Sequence, residues 1–323
     1  MKNTYCAECG ELMERWGKTA AGTPRYRCAA CRKSSIIHRP DTHVRHDKNR
    51  FVEWLTGVEN KNEIAKKYGI TRRALTKEFG SFFRTGYEPS IPADLEINLL
   101  IVDAKYIHGS ELCALVAVTE SDHIFWQFAS EECYGTWYGF LIKFPAPRIV
   151  VADGQKGMSR FVKRHWPGTA FQRCHFHVVL LVTHYLSRNP KEEAGRVILD
   201  LVHQLRHIKT VEARDRWKLF HVIWEKQYAK VFNLKNESGD YVHRKLRSVR
   251  FVMRRALPNL FTYLEYPGCP NTTNLVEGWV NTAIAEGLRR HRGLKLSQKK
   301  TLVSIILSHL KRPPREKPTR KFP

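Results

Sequence analysis

The chain has 323 residues, 42% hydrophobic and 11% aromatic, which is enough apolar material for two or three packed domains and excludes wholesale disorder. Its 55 Lys and Arg against 31 Asp and Glu leave a formal charge of +24, which asks for a polyanionic partner, nucleic acid before an anionic membrane surface. No run approaches the roughly 18 uncharged apolar residues of a membrane span, and the N-terminal Met-Lys-Asn-Thr-Tyr-Cys leads into polar, Cys-rich sequence, so a cytoplasmic protein with no membrane contact is expected.

Four of the eight cysteines fall in the first 31 residues, as Cys6-Ala-Glu-Cys9 and Cys28-Ala-Ala-Cys31 with 18 residues between the pairs. That spacing is the pattern of a tetrahedral four-thiolate zinc site, so residues 1–35 read as a zinc ribbon holding one structural Zn²⁺. Gly10 follows the first knuckle, where the turn needs left-handed backbone. Arg15-Trp16, Arg25-Tyr26-Arg27 and Arg32-Lys33 give the hairpin a basic, aromatic character, serving either DNA contact or the ribbon's own small core.

Residues 36–46 lack periodicity and read as a linker. Residues 47–84 follow as a helical block, with Phe51, Val52, Leu55, Ile64, Ala65, Leu75 and Phe79 at helical spacing. Small Ala65 at a helix crossing, Gly69 in a turn and Thr71 as cap give it the layout of a helix-turn-helix. Arg72, Arg73, Thr76 and Lys77 then project from the second helix toward DNA, although a plain helical hairpin has the same apolar spacing.

Gly86, Pro89 and Pro92 break the helical pattern, and from residue 95 the period changes. Strands are expected at 97–103, 112–118 and 123–128, a helix at 134–144, a strand at 148–153, a helix at 156–166 and a short strand at 170–174. This is the element order of an RNase H-like α/β core, whose first part spans 95–178. Asp103 and Asp153 end the first and fourth strands, which lie side by side in such a sheet. Paired carboxylates there are hard oxygen ligands suited to two Mg²⁺ or Mn²⁺ ions about 3.5–4 Å apart. Residues 179–268 read as an all-α insertion, 269–310 as a final helix and basic segment of the core, and 311–323 as a basic disordered tail.

Asp103-Ala104-Lys105-Tyr106, Asp153-Gly154-Gln155-Lys156-Gly157, Gln172-Arg173-Cys174-x-x-His177 and Thr272-Thr273-Asn274-x-x-Glu277 together resemble the ordered motifs of Mutator-like transposases, in particular their bacterial insertion-sequence branch. The resemblance covers roughly residues 97–292 and implies a catalytic, metal-binding DDE triad of Asp103, Asp153 and Glu277. Cys174 and His177 match the family's signature pair, with packing, DNA contact and zinc all open as roles. Arg289, Arg290 and Arg292 follow the implied catalytic helix with few acids nearby, which favours contact with a phosphate backbone. The function this implies is binding of the element's ends, metal-dependent cleavage and strand transfer into target DNA, by a homodimer or higher oligomer at the prokaryotic nucleoid. A DNA-binding regulator derived from a transposase and an RNase H-like nuclease without strand transfer are the alternatives.

Overall fold

The structure, a computed structural model, describes residues 5, 6, 8, 9, 11–20, 22–36, 41–83, 87–92, 94–107 and 111–312, with side chains of the first helix described from residue 48 onward. Gly10, residues 37–40 of the expected linker and residues 313–323 of the expected tail lie outside them. The chain divides into two compact units, Met1–Arg84 and Thr85–Pro323.

In the first unit β1 (Met13–Lys18), β2 (Pro24–Cys28) and β3 (Ser34–Ile36) form an antiparallel sheet in sequence order. Its apolar centre is Cys6, Met13 and Cys28 with Tyr26 against them. Trp16 stands outside, 54% exposed, with the Arg27 guanidinium over its ring at 4.5 Å. Three helices follow: α1 (Asp41–Thr56), α2 (Lys61–Lys67) and α3 (Arg72–Phe82). Helix α1 starts six residues before the helical block read from periodicity, because its first turns carry Asp41 and other polar residues that give no apolar signal. Phe51, Trp54, Leu55, Ile64, Ala65, Leu75 and Phe79 are buried among the three helices. Asn60 and Glu63 cap α2 reciprocally, and the Thr71 hydroxyl accepts from the Ala74 N–H at 3.2 Å. Between these helices Gly69 takes φ +63°, a turn that a β-carbon would strain.

The second unit is built on a five-stranded mixed sheet in the order β6-β5-β4-β7-β8. The strands are β4 (Leu99–Tyr106), β5 (Cys113–Thr119), β6 (Ile124–Ala129), β7 (Ile149–Ala152) and β8 (Ala170–Arg173). Strands β4, β5 and β6 form an antiparallel meander; β7 joins β4 in parallel and β8 joins β7 in parallel, through the crossover helices α4 (Tyr134–Leu141) and α5 (Lys156–His165). Every residue of β5 and β7 is buried, as expected for strands covered on both faces. One face, through Leu100, Val102, Leu115 and Val150, packs on Trp137, Phe140 and Phe161 of α4 and α5. The other, through Ile101, Val116 and Val151, packs on a late helical segment and on α12 (Leu296–His309).

Between β8 and the late helical segment in chain order, the second unit carries a helical layer with its own core. It comprises α6 (His175–Leu186), α7 (Glu193–His203), α8 (Val211–Gln227), α9 (Ala229–Asn233) and α10 (Arg244–Ala256). Val182, Ile198, Trp217, Trp224, Phe232, Val249 and Met253 fill it. Among the described residues no helix is long and apolar enough to cross a membrane.

Candidate active site

Strands β4 and β7 run parallel with Ile101 opposite Val151, and that pairing stops there. Two residues further along stand Asp103, still within β4, and Asp153, one residue past the end of β7, and their charges act on one another. Asp103 does not end its strand, contrary to expectation from the sequence. Pairing with β5 continues through Asp103↔Val116 to Tyr106↔Cys113, so Asp103 stands where the β5 ladder persists and the β7 ladder has ceased.

The helix crossing this face starts with a π-helical turn, Val276–Asn281, and continues as α11 (Thr282–Arg290). Val276, Val280 and Ile284 dock it on Ile101 and Val151. That docking carries Glu277 and Asn281, four residues apart, toward the aspartates; wide turns of this kind recur at functional sites. The Asn281 amide donates to Asp103 Oδ2 at 2.9 Å. Burial pushes the Asp103 carboxyl up to about 6; the charges of Glu277 and Asp153 add to this, and His177 and Asn281 oppose it. Asp153 accepts the Gln155 N–H at 2.7 Å. Glu277 accepts from the Thr273 hydroxyl and lies 3.6 Å from His177 Nδ1. Burial alone would hold the His177 imidazolium down, yet the Cys174 sulfur and the Asp103 and Glu277 carboxylates raise it to about 9.

The Gln-Arg-Cys-x-x-His stretch joins the sheet to the helical layer at both ends. Gln172, fully buried, donates to the Leu260 carbonyl at 3.0 Å and accepts the Tyr263 N–H at 2.9 Å, while His175 Nε2 lies 2.6 Å from the same Leu260 carbonyl. Buried Cys174 accepts from the Thr273 N–H at 3.2 Å and the Thr273 hydroxyl at 3.3 Å. The pair thus holds the segment leading into Glu277: Cys174 fixes Thr273, and Thr273 and His177 both meet the Glu277 carboxylate. Cys174, His177 and Glu277 also bring one ligand atom each to within 4.8 Å of one another.

Sequence reasoning missed three side chains here. Glu132, after β6, is pushed up to about 7 by burial and by the charge of Asp153, with Asp103 adding to it. Its backbone ties it to both aspartate strands, the N–H donating to the Tyr106 hydroxyl at 3.2 Å and the carbonyl accepting from the Gln155 amide at 2.5 Å. The Trp137 indole donates to its carboxylate at 3.2 Å. No periodicity marks a loop acid, whereas Asn281 was findable from its helical spacing to Glu277. Arg173, quoted within a motif but given no role, lies beside Asp153: at Gly154, φ +74°, a β-carbon would stand 1.6 Å from Arg173 Nη1.

Asp103, Asp153, Glu277 and Glu132 carry carboxylate oxygens, the donor type that hard divalent cations take, but among the described residues no three of these carboxylates come within 4.8 Å of one another. The buried Asn281 Oδ1 has no hydrogen-bond partner. The first unit carries a different donor set. Cys6, Cys9, Cys28 and Cys31 bring their sulfurs within 4.8 Å of one another, with Cys6 to Cys31 at 3.5 Å and Cys9 to Cys28 at 3.4 Å, which fits a zinc ion. The backbone N–H groups of Glu8 and Cys9 lower the Cys6 thiol to about 7 and that of Cys31 lowers Cys28, whereas the neighbouring sulfurs raise Cys9 and Cys31, so without a metal the four thiols share their protons unequally. Arg72, Arg73 and Lys77 are exposed on α3; Arg289 and Arg290 end α11, and Arg292 follows, all exposed.

Residues 127–243 match the family model described as Transposase, Mutator family. The matched stretch contains Asp153, Cys174 and His177 and bears out the resemblance to Mutator-like transposases; Asp103 and the Thr272–Glu277 motif lie outside it. No curated protein matches the chain.

Proposed function

We propose that the chain is a DDE-type transposase of the Mutator kind, from the bacterial insertion-sequence branch, with an RNase H-like core that cleaves its element's ends and transfers the freed strand into target DNA. The observation that supports this reading is that the charges of Asp153, one residue past the end of β7, and of Glu277 both act on the buried Asp103 carboxyl of the neighbouring strand β4. In this reading Asp103, Asp153 and Glu277 hold two Mg²⁺ or Mn²⁺ ions, with Glu132 as a further carboxylate. Such ions, when bound, lower the pKa of an attacking water or 3′-hydroxyl and neutralise the leaving oxygen. Asn281 orients Asp103 through its amide. Cys174 and His177 are positioning residues, fixing Thr273 and the Glu277 carboxylate. Protonated His177 balances part of the acidic cluster, which keeps three or more carboxylates close together before cations arrive.

The first unit supplies end recognition. Its zinc ribbon is held by Cys6, Cys9, Cys28 and Cys31, and α2 and α3 act as a helix-turn-helix that presents Arg72, Arg73 and Lys77 to the duplex. Arg289, Arg290 and Arg292 hold the backbone near the reacting phosphate. The protein works on nucleoid DNA in the cytoplasm as a homodimer or higher oligomer assembled on the element's ends. Joining of a labelled element end to plasmid DNA, with and without Mg²⁺, tests the reading. Metal-dependent joined product supports a transposase; cleavage without joining means a nuclease, and end binding with neither means a regulator.

A further inference from the structure

A groove of about 920 Å³ opens between α5, β8 and α10, and it starts at Gly154, the residue after Asp153. Its lining includes Lys156, Lys163, Arg173, Phe251, Arg254 and Arg255, and among the described residues that line it there is no Asp or Glu. Arg254 is committed to Glu225, at 2.6 Å. Lys156, Lys163 and Arg255 are exposed. Phe251 is 60% exposed, with the Arg255 guanidinium over its ring at 5.5 Å, so an aromatic side chain largely open to solvent stands with a cation beside it in the same lining. At the inner end Arg173 packs on Gly154, and its Nε is buried without a partner. Asp153 and Arg255 both act on the Arg173 charge, so this one side chain touches the field of the carboxylates and that of the groove.

We propose that this groove is a channel for a single DNA strand entering the carboxylate site, with Phe251 as a stacking platform for a base and Arg173 as the phosphate-binding cation at the inner mouth. The proposal rests on reading Asp103 and Asp153 as the active site. Its volume is that of a pocket enclosing a drug-sized molecule, so it takes a nucleotide or a short strand and is too small for a double helix. Cations that track a backbone and an aromatic that accepts any base are the two parts of a sequence-neutral single-strand site. An acid-free lining beside an acidic centre also separates the sites by charge: phosphates are drawn along the groove and released only where cations neutralise the carboxylates.

The test uses the full chain and an oligothymidylate of about 12 nucleotides, with a random duplex as control. The Lys156→Ala, Lys163→Ala, Arg255→Ala triple variant should flatten the log-log salt dependence of single-strand binding by about 2, since each neutralised phosphate of a single strand contributes about 0.7. Duplex binding should keep its slope. Phe251→Leu, which leaves the charges in place, should weaken single-strand binding on the order of tenfold. All these positions are exposed, so the fold is retained. An unchanged single-strand slope in the triple variant overturns the channel, as does an equal loss on duplex. Asp153→Asn, assayed for end joining, tests the underlying reading separately: joining that survives there removes the channel's destination, whereas lost joining with an unchanged slope in the triple variant overturns the channel alone.

Discussion

Asp103 and Glu132 carry carboxyls whose ionisation the fold opposes. Burial raises them from 3.8 to about 6 and from 4.5 to about 7, so each stabilises the metal-free fold in its protonated form. That stabilisation is fully present below the unfolded values and is lost as pH rises through about 6 and about 7. His177, raised from 6.5 to about 9, acts in the same direction, its contribution lost as pH passes about 9. Asp103→Asn keeps an acceptor for Asn281 and removes the ionisation. In metal-free protein it should therefore match the parent's Tm only below the unfolded value, near about pH 3, and exceed it near about pH 8, by about 2–4 °C for each kcal/mol of strain relieved. A Tm difference independent of pH contradicts the burial assigned to this carboxyl. Asp103 and Asp153 were legible because apolar runs bracket them and the strand order makes those runs neighbours. Glu132 was not, because it lies in a connection where only tertiary contact with Tyr106 and Gln155 gives it a place.

At the scale of elements, the joint between β8 and the end of the helical layer is held by polar groups inside a core. Gln172→Leu keeps the volume near enough and leaves the Tyr263 N–H without its partner, while the Leu260 carbonyl keeps His175. An unsatisfied buried group costs about 1–3 kcal/mol, so the variant should lose about that much, read by denaturant titration. Hydrogen exchange should quicken first at residues 260–263. Parent-like protection there would mean that the joint is held by apolar packing alone. Helix α12 shows why some elements stay hidden in a sequence. Its start carries Lys295, Lys299 and Lys300, yet Leu302, Val303, Ile305 and Leu307 are buried and close the second face of the sheet. Burial on several sides removes the one-sided periodicity by which a surface helix is recognised. The same helix meets α11 closely: a β-carbon on Gly287 would stand 2.2 Å from Ile306 Cδ1. Gly287→Val should overpack that crossing and cost about 1–3 kcal/mol, measured by thermal melting.

The whole molecule combines two units stabilised by different means. The sheet and helical layer of the second have cores of their own, whereas the described residues among the first 36 bury little beyond Cys6, Met13 and Cys28. A ribbon that small depends on its metal. Freshly purified, reduced protein should hold about one Zn²⁺ per chain, since four thiolates saturate one tetrahedral site. Cys28→Ser or a chelator should speed amide exchange in residues 5–36 and leave the sheet of the second unit protected. Protein without zinc by elemental analysis would remove the ribbon's metal. The two C-x-x-C pairs made this site readable from spacing, and strand order made the sheet readable. The meeting of Glu277 with Thr273, Cys174 and His177 needed the fold, because 99 and 100 positions separate Cys174 from Thr273 and His177 from Glu277. One measurement tests the carboxylate site most directly: end joining by Asp103→Asn, Asp153→Asn and Glu277→Gln, each in Mg²⁺ and in Mn²⁺, beside a binding assay on the same ends. Every variant should bind the ends like the parent, and none should cleave or join them. Substantial strand transfer by any of the three would contradict this assignment.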